Sequence, residues 1–298
     1  MDHDGIRKSI LSCLVFIRCY NEDSCFFKGG SMLHYIPLWF WESSFFILGL
    51  VFGSFFNVCI YRIPKEESIV APPSHCPKCN YQLKWYDNIP VLSYILLRGK
   101  CRQCKNRISF RYAIVEILTG ILFFLAFHLF GLNIFTFFVL IYLSFLIIMS
   151  FIDLDTFTLP DRFTLTLIPL GIIASFFRED FGITDSLFGI LAGGGTIFLF
   201  SAGYYLLKGK VGMGGGDIKL MAGVGAYLGF ELALMTIMIG TITGTITALP
   251  YLYIKKKGMD EMLPFGPFLA IGAIICLFWG EEIFTWWISH PIIDLRID

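Results

Sequence analysis

Long apolar stretches alternate with short polar ones along most of the chain. Apolar runs close to the roughly 20 residues that a transmembrane helix needs occur seven times, and an eighth, shorter and rich in glycine, extends from Ile218 to Phe230. The seven longer runs cover about residues 43–61, 113–130, 134–152, 159–177, 185–206, 231–254 and 265–288. Backbone polar groups that lie in hydrocarbon must be paired within the chain, which favours helices. The pattern therefore predicts an all-α polytopic membrane protein with about eight transmembrane helices.

The composition agrees with this prediction. Hydrophobic residues make up 56% of the chain and charged residues only 15%, whereas soluble proteins have about 45–50% and about 25%. The mean hydropathy is +0.71. The formal net charge is zero, so it indicates no nucleic-acid partner, and none is expected. Membrane lipid is the partner that this composition predicts.

The distribution of charge indicates the orientation in the membrane. Ten Lys and Arg residues but only three acidic residues lie between Arg62 and Arg111, and such an excess is typical of a cytoplasmic loop. Counting eight spans from this loop places Lys208, Lys219 and the lysine triplet at 255–257 on the same side. Without the short glycine-rich span, the triplet would fall on the far side. The charges therefore favour eight spans and a cytoplasmic loop after the first.

The N-terminal residues give a weaker signal. Residues 1–31 contain an apolar patch, but Arg18 interrupts it after about eight residues, which is marginal for a secretory signal. We treat them as an extension of doubtful role, and translation from Met32 is one possibility. The chain then divides into the extension at 1–31, a first transmembrane helix at 32–61, a cytoplasmic loop at 62–112 and a transmembrane domain at 113–298.

Four of the nine cysteines have the spacing of a metal site. Cys76 and Cys79 form one Cys-x2-Cys pair, and Cys101 and Cys104 form another after 21 intervening residues. This spacing is close to that of a structural zinc site. Disulfides are rare in the cytoplasm, and neighbouring Lys and Arg residues would offset the charge of a four-thiolate zinc centre. The pattern predicts Zn²⁺; the alternative is a pair of reduced, unliganded turns.

Aspartates at the ends of two apolar runs form the second candidate site. Asp153 lies in "SFIDLDTFTLPD" and Asp217 follows a run of glycines, 64 residues later. The topology above puts both at the cytoplasmic face. Two carboxyl groups held together at a low-dielectric border cannot both ionise cheaply, so they share a proton and can perform acid–base chemistry. Asp155 and Asp161 have simpler explanations, at the interface and in the first turn of a helix.

The glycines before Asp217 allow two interpretations. Gly212, Gly214, Gly215 and Gly216 remove side chains, so an extended substrate backbone could approach the carboxylate. Alternatively, they form a flexible connection or a tight contact between helices. The presence of Asp153 and of a helix broken at Pro160 favours the first interpretation.

These motifs together resemble a known family. "GMGGGDIKLMAGVGAYLG" is similar to the GxGD segment of the type IV prepilin peptidases, the bifunctional leader peptidases and N-methyltransferases of bacterial type IV pilus and type II secretion systems. Four other stretches resemble the family in the same order: "GSFFNVCIYRIP", "DNIPVLSYILLRGKCRQC" with "RISFRYAIVE", "IDLDTFTLPD" and "LPFGPFLAIG". The resemblance covers about residues 33–290.

The resemblance implies a function and roles for particular residues. Asp153 and Asp217 take the positions of the two catalytic aspartates, and the four cysteines take those of the family's cysteine loop. Members cleave the basic leader of prepilins and pseudopilins after a glycine, at the cytoplasmic side of the inner membrane. They then methylate the new α-amino group with S-adenosylmethionine. Ala113 departs from the family, which usually has proline there, and the glycine run has one extra glycine.

Weaker candidates and alternatives complete the prediction. Four acidic residues are candidates for binding the basic leader: Glu66, Glu67, Asp87 and Asp155. Three other residues are candidates for methyl transfer: the aromatic residues Trp85 and Tyr86, and Glu116. One alternative function is a peptidase alone, with a purely structural zinc loop. A remote alternative is an ion-coupled transporter with a broken helix at Asp217. Neither the substrate nor the oligomeric state follows from the sequence.

Overall fold

Helices dominate the structure. The computed structural model describes residues 17–19, 24–27, 36–178, 181–209, 212–255 and 263–289. These residues form the helices α1 (Leu38–Arg62), α2 (Leu92–Leu96), α3 (Arg111–Phe130), α4 (Ile134–Thr156), α5 (Asp161–Ser175), α6 (Ile183–Lys208), α7 (Gly215–Leu228), α8 (Phe230–Lys255) and α9 (Gly266–Ser289). Short 3-10 helices cover Ile63–Lys65 and Trp85–Asn88.

All eight apolar runs are helical, which confirms the predicted helical fold. Among the described residues, six helices are long and apolar enough to cross a membrane: α1, α3, α4, α6, α8 and α9. The protein is therefore a multi-pass membrane protein. The other two runs form α5, with 15 residues, and α7, with 14. Both are shorter than the roughly 20 residues that cross a bilayer, so the total of eight spans stays a prediction.

A small sheet precedes the first long helix. Strands β1 (Ile17–Cys19), β2 (Ser24–Phe27) and β3 (Ile36–Pro37) pair antiparallel in that order. The sequence did not predict these strands. The rest of the extension at 1–31 lies outside the described residues, and its role stays a prediction.

The chain divides into two compact units, Met1–Ile148 and Met149–Asp298. In the first, α1 and α3 pack closely because glycines line their contact. A Cβ on Gly49 would lie 2.6 Å from the carbonyl oxygen of Thr119, and one on Gly53 would lie 2.7 Å from the Cα of Glu116. Small residues let helix backbones approach in this way inside a membrane. The loop between the two helices carries the four cysteines.

The second unit contains the end of α4 and all of α5 to α9. Its closest helix contact is between α6 and α7, where a Cβ on Gly189 would overlap the backbone oxygen of Gly225. Helices α8 and α9 also approach closely, since a Cβ on Gly272 would lie 2.6 Å from the carbonyl oxygen of Thr236. The close contact between the backbones of α6 and α7 therefore fixes the position of α7, which begins two residues before Asp217.

Local sequence determines where the helices of this unit begin and end. Helix α4 stops at Phe157, which has a left-handed backbone with φ of 54°, and Pro160 caps the start of α5. Helix α6 ends at Gly209 with φ of 67°, and α7 begins after the glycine run. As a result, the end of α4 and the beginnings of α5, α7 and α9 supply the residues of one site.

Candidate functional site

Asp153 lies in the last turn of α4 and is only 5% exposed. Its Oδ2 atom accepts a hydrogen bond of 3.0 Å from the backbone N–H of Gly266. Gly266 is the first residue of α9, and the first N–H groups of a helix have no partner within that helix. The start of α9 therefore holds one oxygen of the Asp153 carboxyl group in a fixed position.

Asp217 lies in the first turn of α7, close to Asp153. The backbone N–H of Asp217 donates a 3.1 Å hydrogen bond to the carbonyl oxygen of Gly214, and the carboxyl group of Asp217 interacts electrostatically with that of Asp153. Asp217 is half-buried, whereas Asp155 is exposed. The structure thus brings together the two aspartates that the sequence singled out, although 64 residues separate them.

The glycines at this site have two different environments. A Cβ on Gly216 would lie 2.8 Å from the Cβ of Leu159, and one on Gly266 would lie 2.8 Å from Oδ2 of Asp153. These two glycines are needed for packing. In contrast, Gly215 has no atom within 4 Å of the position of a Cβ. Gly216 therefore permits a tight contact between helix and loop, and Gly215 leaves space beside Asp217. The approach of a substrate backbone through this space stays a prediction.

This geometry suits acid–base catalysis. One carboxylate can remove a proton from water while its protonated neighbour donates a hydrogen bond to a carbonyl oxygen. Burial strengthens such interactions because little water is present to screen them. Both groups belong to helix ends, which hold them more rigidly than a free loop would.

The four cysteines form a compact cluster in the loop between α1 and α3. All four sulfur atoms lie within 4.8 Å of one another, and the distances Cys76–Cys104 and Cys79–Cys101 are 3.8 and 3.9 Å. Four sulfurs at about 2.3 Å from a tetrahedral zinc ion lie about 3.8 Å apart. The thiol positions therefore fit a tetrahedral metal ion.

Matching backbone turns build the two halves of this cluster. The N–H of Asn80 donates to the carbonyl of Cys76, and the N–H of Lys105 donates to that of Cys101. Both donors have positive φ, at 55° and 57°. Burial raises the pKa of the Cys76 thiol, but hydrogen bonds with the backbone of Lys78 and Cys79 and with neighbouring thiols outweigh this effect and lower it, whereas the neighbouring thiols raise the pKa of Cys79. A low thiol pKa favours the thiolate that binds metal.

Asp87 joins the two halves of the cluster. Its side chain is fully buried and forms a 2.7 Å ion pair with Nε of Arg102, which raises the pKa of Arg102. The hydroxyl of Tyr81 and the N–H of Lys84 also donate to Asp87, at 3.3 and 3.4 Å. Asp87 therefore stabilises the loop and does not face solvent, where a basic leader would bind.

Two family models match the chain. The model described as the bacterial peptidase A24 N-terminal domain matches residues 47–130, a range that includes the four cysteines. The model described as the type IV leader peptidase family matches residues 140–249, a range that includes Asp153 and Asp217.

Curated relatives match over most of their length. The prepilin leader peptidase/N-methyltransferase of Legionella pneumophila is 38% identical over 85% of this chain and 96% of its own. The proteins of the same name from Neisseria gonorrhoeae and Pseudomonas aeruginosa are 36% and 35% identical, over 83% and 80% of this chain and 94% and 90% of theirs. The chain belongs to the type IV leader peptidase family. No solved structure matches it.

Family membership confirms the resemblance seen in the sequence, and the structure adds the surroundings of the weaker candidates. Glu66, Glu67, Asp155 and Trp85 are exposed. The ring of Tyr86 contacts Arg102, with 5.1 Å between the guanidinium carbon and the ring centre. Glu116 is buried between α1 and the loop, where it accepts a hydrogen bond from Val91. None of these contacts assigns a residue to leader binding or methyl transfer.

Sequence reasoning missed two features of this candidate site. The first is Gly266, whose signal was a glycine directly before Pro267 at the start of an apolar run, a pattern typical of a helix N-terminus. The second is a 2.7 Å ion pair between Lys219 of α7 and Asp161 of α5. No spacing rule pairs residues 58 positions apart. The pair links the first residue of α5 to the fifth residue of α7, two positions after Asp217.

We expect this ion pair to position Asp217. Replacing Asp161 with Asn or Lys219 with Gln should slow leader cleavage several-fold, because the N-terminal part of α7 loses its link to α5. The melting temperature should change little, since exposed ion pairs contribute only about 0.2–1 kcal/mol. The doubly exchanged Asp161→Lys/Lys219→Asp protein should regain part of the lost rate. A double exchange slower than both single variants would rule out this role.

Proposed function

We propose that this protein is a prepilin leader peptidase and N-methyltransferase of the bacterial inner membrane. The observation that carries the proposal is the meeting of Asp153 and Asp217 at the ends of α4 and α7, in a chain of the type IV leader peptidase family. Its curated relatives are named for both activities. The substrates are type IV prepilins or the pseudopilins of type II secretion.

Cleavage follows from the shared proton of the two carboxyl groups. The ionised carboxylate removes a proton from water, and the resulting hydroxide attacks the peptide carbonyl carbon. The protonated carboxyl group donates a hydrogen bond to the carbonyl oxygen and then supplies a proton to the leaving amine as the C–N bond breaks. The N–H of Gly266 donates to Oδ2 of Asp153 and thereby fixes the orientation of this carboxyl group for the exchange.

The position of the aspartates suits a substrate with a basic leader followed by an apolar helix. The scissile bond of such a substrate lies at the border of the membrane, where α4 ends and α7 begins. The excess of Lys and Arg in the cysteine loop favours the cytoplasmic border. A transporter would instead place its ion site near the middle of the bilayer, and therefore the peptidase accounts better for residues at helix ends.

Zinc is the metal that best fits the cysteine cluster, and Cys76, Cys79, Cys101 and Cys104 would hold it. A zinc ion with four thiolate ligands has no open position and contributes folding energy. The residues of the loop would then fold around the cluster, with Asp87 and Arg102 as a second link between its halves.

Metal analysis tests this assignment. The purified, reduced protein should contain one zinc ion per chain. The variants Cys76→Ser and Cys104→Ser should each contain almost no zinc, because removal of one of four thiolate ligands abolishes most of the affinity of the site for the metal. Cys276→Ala is the matched control: Cys276 is buried in α9, apart from the cluster, so this variant should keep its zinc. A reduced wild-type protein without metal would contradict the assignment.

Methyl transfer is the second proposed activity. S-adenosylmethionine supplies the methyl group as an electrophile, and the new α-amino group must be uncharged to accept it. The described residues do not assign a binding site for this donor. The competing interpretation, a peptidase with a purely structural zinc loop, has the same cysteines.

Intact mass separates the two interpretations. A purified prepilin is incubated with the protein in lipid, with and without S-adenosylmethionine. The bifunctional enzyme should remove the leader in both samples. Only in the sample with S-adenosylmethionine should the shortened pilin also carry a methyl group in place of one hydrogen. Shortened but unmethylated pilin in both samples would leave a peptidase alone. Full-length prepilin in both would contradict the proposed function.

A further inference from the structure

The cysteine loop contains a stretch that differs from the rest of it. Between Arg62 and Arg111 there are ten Lys and Arg residues, yet Ile89–Leu97 has no charged residue. This stretch includes α2, on which Leu92, Ile95 and Leu96 are all exposed, Leu96 to 73%. Residues spaced three and four apart share one side of a helix. These three side chains therefore form a continuous apolar surface, the α2 face.

A buried carboxylate fixes this stretch against the membrane helices. The N–H of Val91, directly before α2, donates a 2.7 Å hydrogen bond to Oε2 of Glu116. Glu116 belongs to α3 and is 8% exposed, and Ser54 of α1 lies beside its carboxyl group. Val91 has φ of 59°, which is unusual for a β-branched residue and persists only where surrounding contacts enforce it. The hydrogen bond from Val91 therefore links the start of the stretch to α3.

Helix geometry gives the depth of this contact. Helix α3 has 20 residues, so its length of about 30 Å matches the hydrocarbon core of a bilayer. Glu116 is five residues inside α3, or about 7 Å from its beginning. Ser54 lies eight residues before the end of α1, about 12 Å along that helix. Val91 therefore lies near the border of the hydrocarbon, and α2 begins there.

The backbone of the stretch suits this environment. Within it, the N–H groups of Ser93, Ile95 and Leu97 donate to carbonyls of the same stretch, and Glu116 accepts the N–H of Val91. Internal pairing of backbone groups is the condition for a segment that contacts hydrocarbon. Arg98 and Lys100 follow directly, where they can contact anionic lipid headgroups.

We propose that Ile89–Leu97 is a re-entrant segment whose α2 face contacts the acyl chains of the bilayer, with Glu116 as its anchor. The occupant of the face is membrane lipid, because the segment is apolar, lies at the depth of the hydrocarbon border and continues into basic residues. The second cysteine pair of the cluster begins at Cys101, four residues after the segment. The segment thereby holds the cysteine cluster at the membrane surface.

Photo-crosslinking tests the proposal with the full-length protein in nanodiscs of phosphatidylethanolamine and phosphatidylglycerol. Leu96 is replaced with the photoreactive p-benzoylphenylalanine, and intact mass is measured after irradiation. Leu129, exposed on α3, is the positive control, and Val70, which is 86% exposed in the same loop, is the negative control. The proposal predicts lipid adducts at positions 96 and 129 but not at 70.

Each other result overturns the proposal. Adducts at 129 without adducts at 96 would mean that protein or water covers the α2 face. Adducts at 96 and 70 alike would mean that the whole loop contacts lipid without a seated segment. The readout does not depend on peptidase or methyltransferase activity, so it stands apart from the proposed function.

Variants of Glu116 test the anchor. In the protein labelled at position 96, Glu116→Leu removes the acceptor for the Val91 N–H and should reduce the lipid adduct to the level of the Val70 control. Glu116→Gln keeps an acceptor oxygen and should retain the adduct. Equal adducts in both variants, with zinc content unchanged, would contradict the anchoring role of Glu116.

Discussion

Asp153→Asn and Asp217→Asn should each lower the rate of prepilin cleavage by about 10²–10⁴-fold or more, the range that one acid–base group contributes. Asparagine has the shape of aspartate but can neither remove a proton from water nor supply one. In the Asp153→Asn variant the amide oxygen would still accept the hydrogen bond from Gly266 that holds the native carboxylate, so folding should be preserved. The initial rate of leader loss, measured by mass spectrometry, gives the effect of each variant.

Asp155→Asn is the matched control for these variants. Asp155 lies two residues after Asp153 on α4 but is exposed, so its replacement removes the same charge and leaves both members of the pair in place. This variant should cleave prepilin at nearly the wild-type rate. Full activity of either Asp153→Asn or Asp217→Asn would show that the two aspartates are not the catalytic pair.

Gly189→Ala should have the second-largest effect, although it adds only one methyl group. That methyl would overlap the backbone oxygen of Gly225, so α6 and α7 could no longer approach as closely. Overpacking of this kind costs about 1–3 kcal/mol. Because α7 carries Asp217 in its first turn, a shift of this helix should also reduce cleavage. The melting temperature and the cleavage rate, measured in the same detergent, should both fall.

Gly195→Ala provides the comparison on the same helix. No atom lies within 4 Å of a Cβ at Gly195, so the methyl group meets open space, and alanine favours a helix by up to about 1 kcal/mol relative to glycine. Stability should therefore be unchanged or slightly higher. If Gly189→Ala behaved like Gly195→Ala, the close crossing of α6 and α7 would not determine the position of Asp217.

The helical fold could be predicted because membrane helices leave a strong local signal. Each apolar run in the sequence became a helix, including the glycine-rich run that became α7. The lengths were harder to predict. Pro160 and Phe157 delay the start of α5, and Gly229, with φ of 86°, ends α7 early. Helix α5 is therefore shorter than its apolar run at 159–177, whereas α7 begins three residues before the glycine-rich run and ends two residues before the end of that run.

The candidate residues could be identified for two different reasons. The cysteines have a local spacing that predicts their cluster, and the structure brings all four together. The aspartates have no such spacing; a buried-charge argument and the resemblance selected them. Their catalytic and metal-binding roles stay predictions, although the geometry of both sites is compatible with them.

Contacts between distant residues could not be predicted from one sequence. The hydrogen bond from Gly266 to Asp153 spans 113 positions, and the ion pair of Lys219 with Asp161 spans 58. The hydrogen bond from the backbone N–H of Val91 to Glu116, which indicates how deep Val91 lies in the membrane, spans 25 positions and could not be predicted either. Such contacts depend on how helices pack, which hydrophobic periodicity does not specify.

The most direct test of the central claim is the intact mass of a prepilin after incubation with the purified protein in lipid, with Asp217→Asn alongside. We predict that the wild-type protein removes the leader and that the variant, equally folded by its melting temperature, leaves the prepilin at full length. Cleavage at the same rate by both proteins, or by neither, would contradict the assignment of this leader peptidase activity to Asp153 and Asp217.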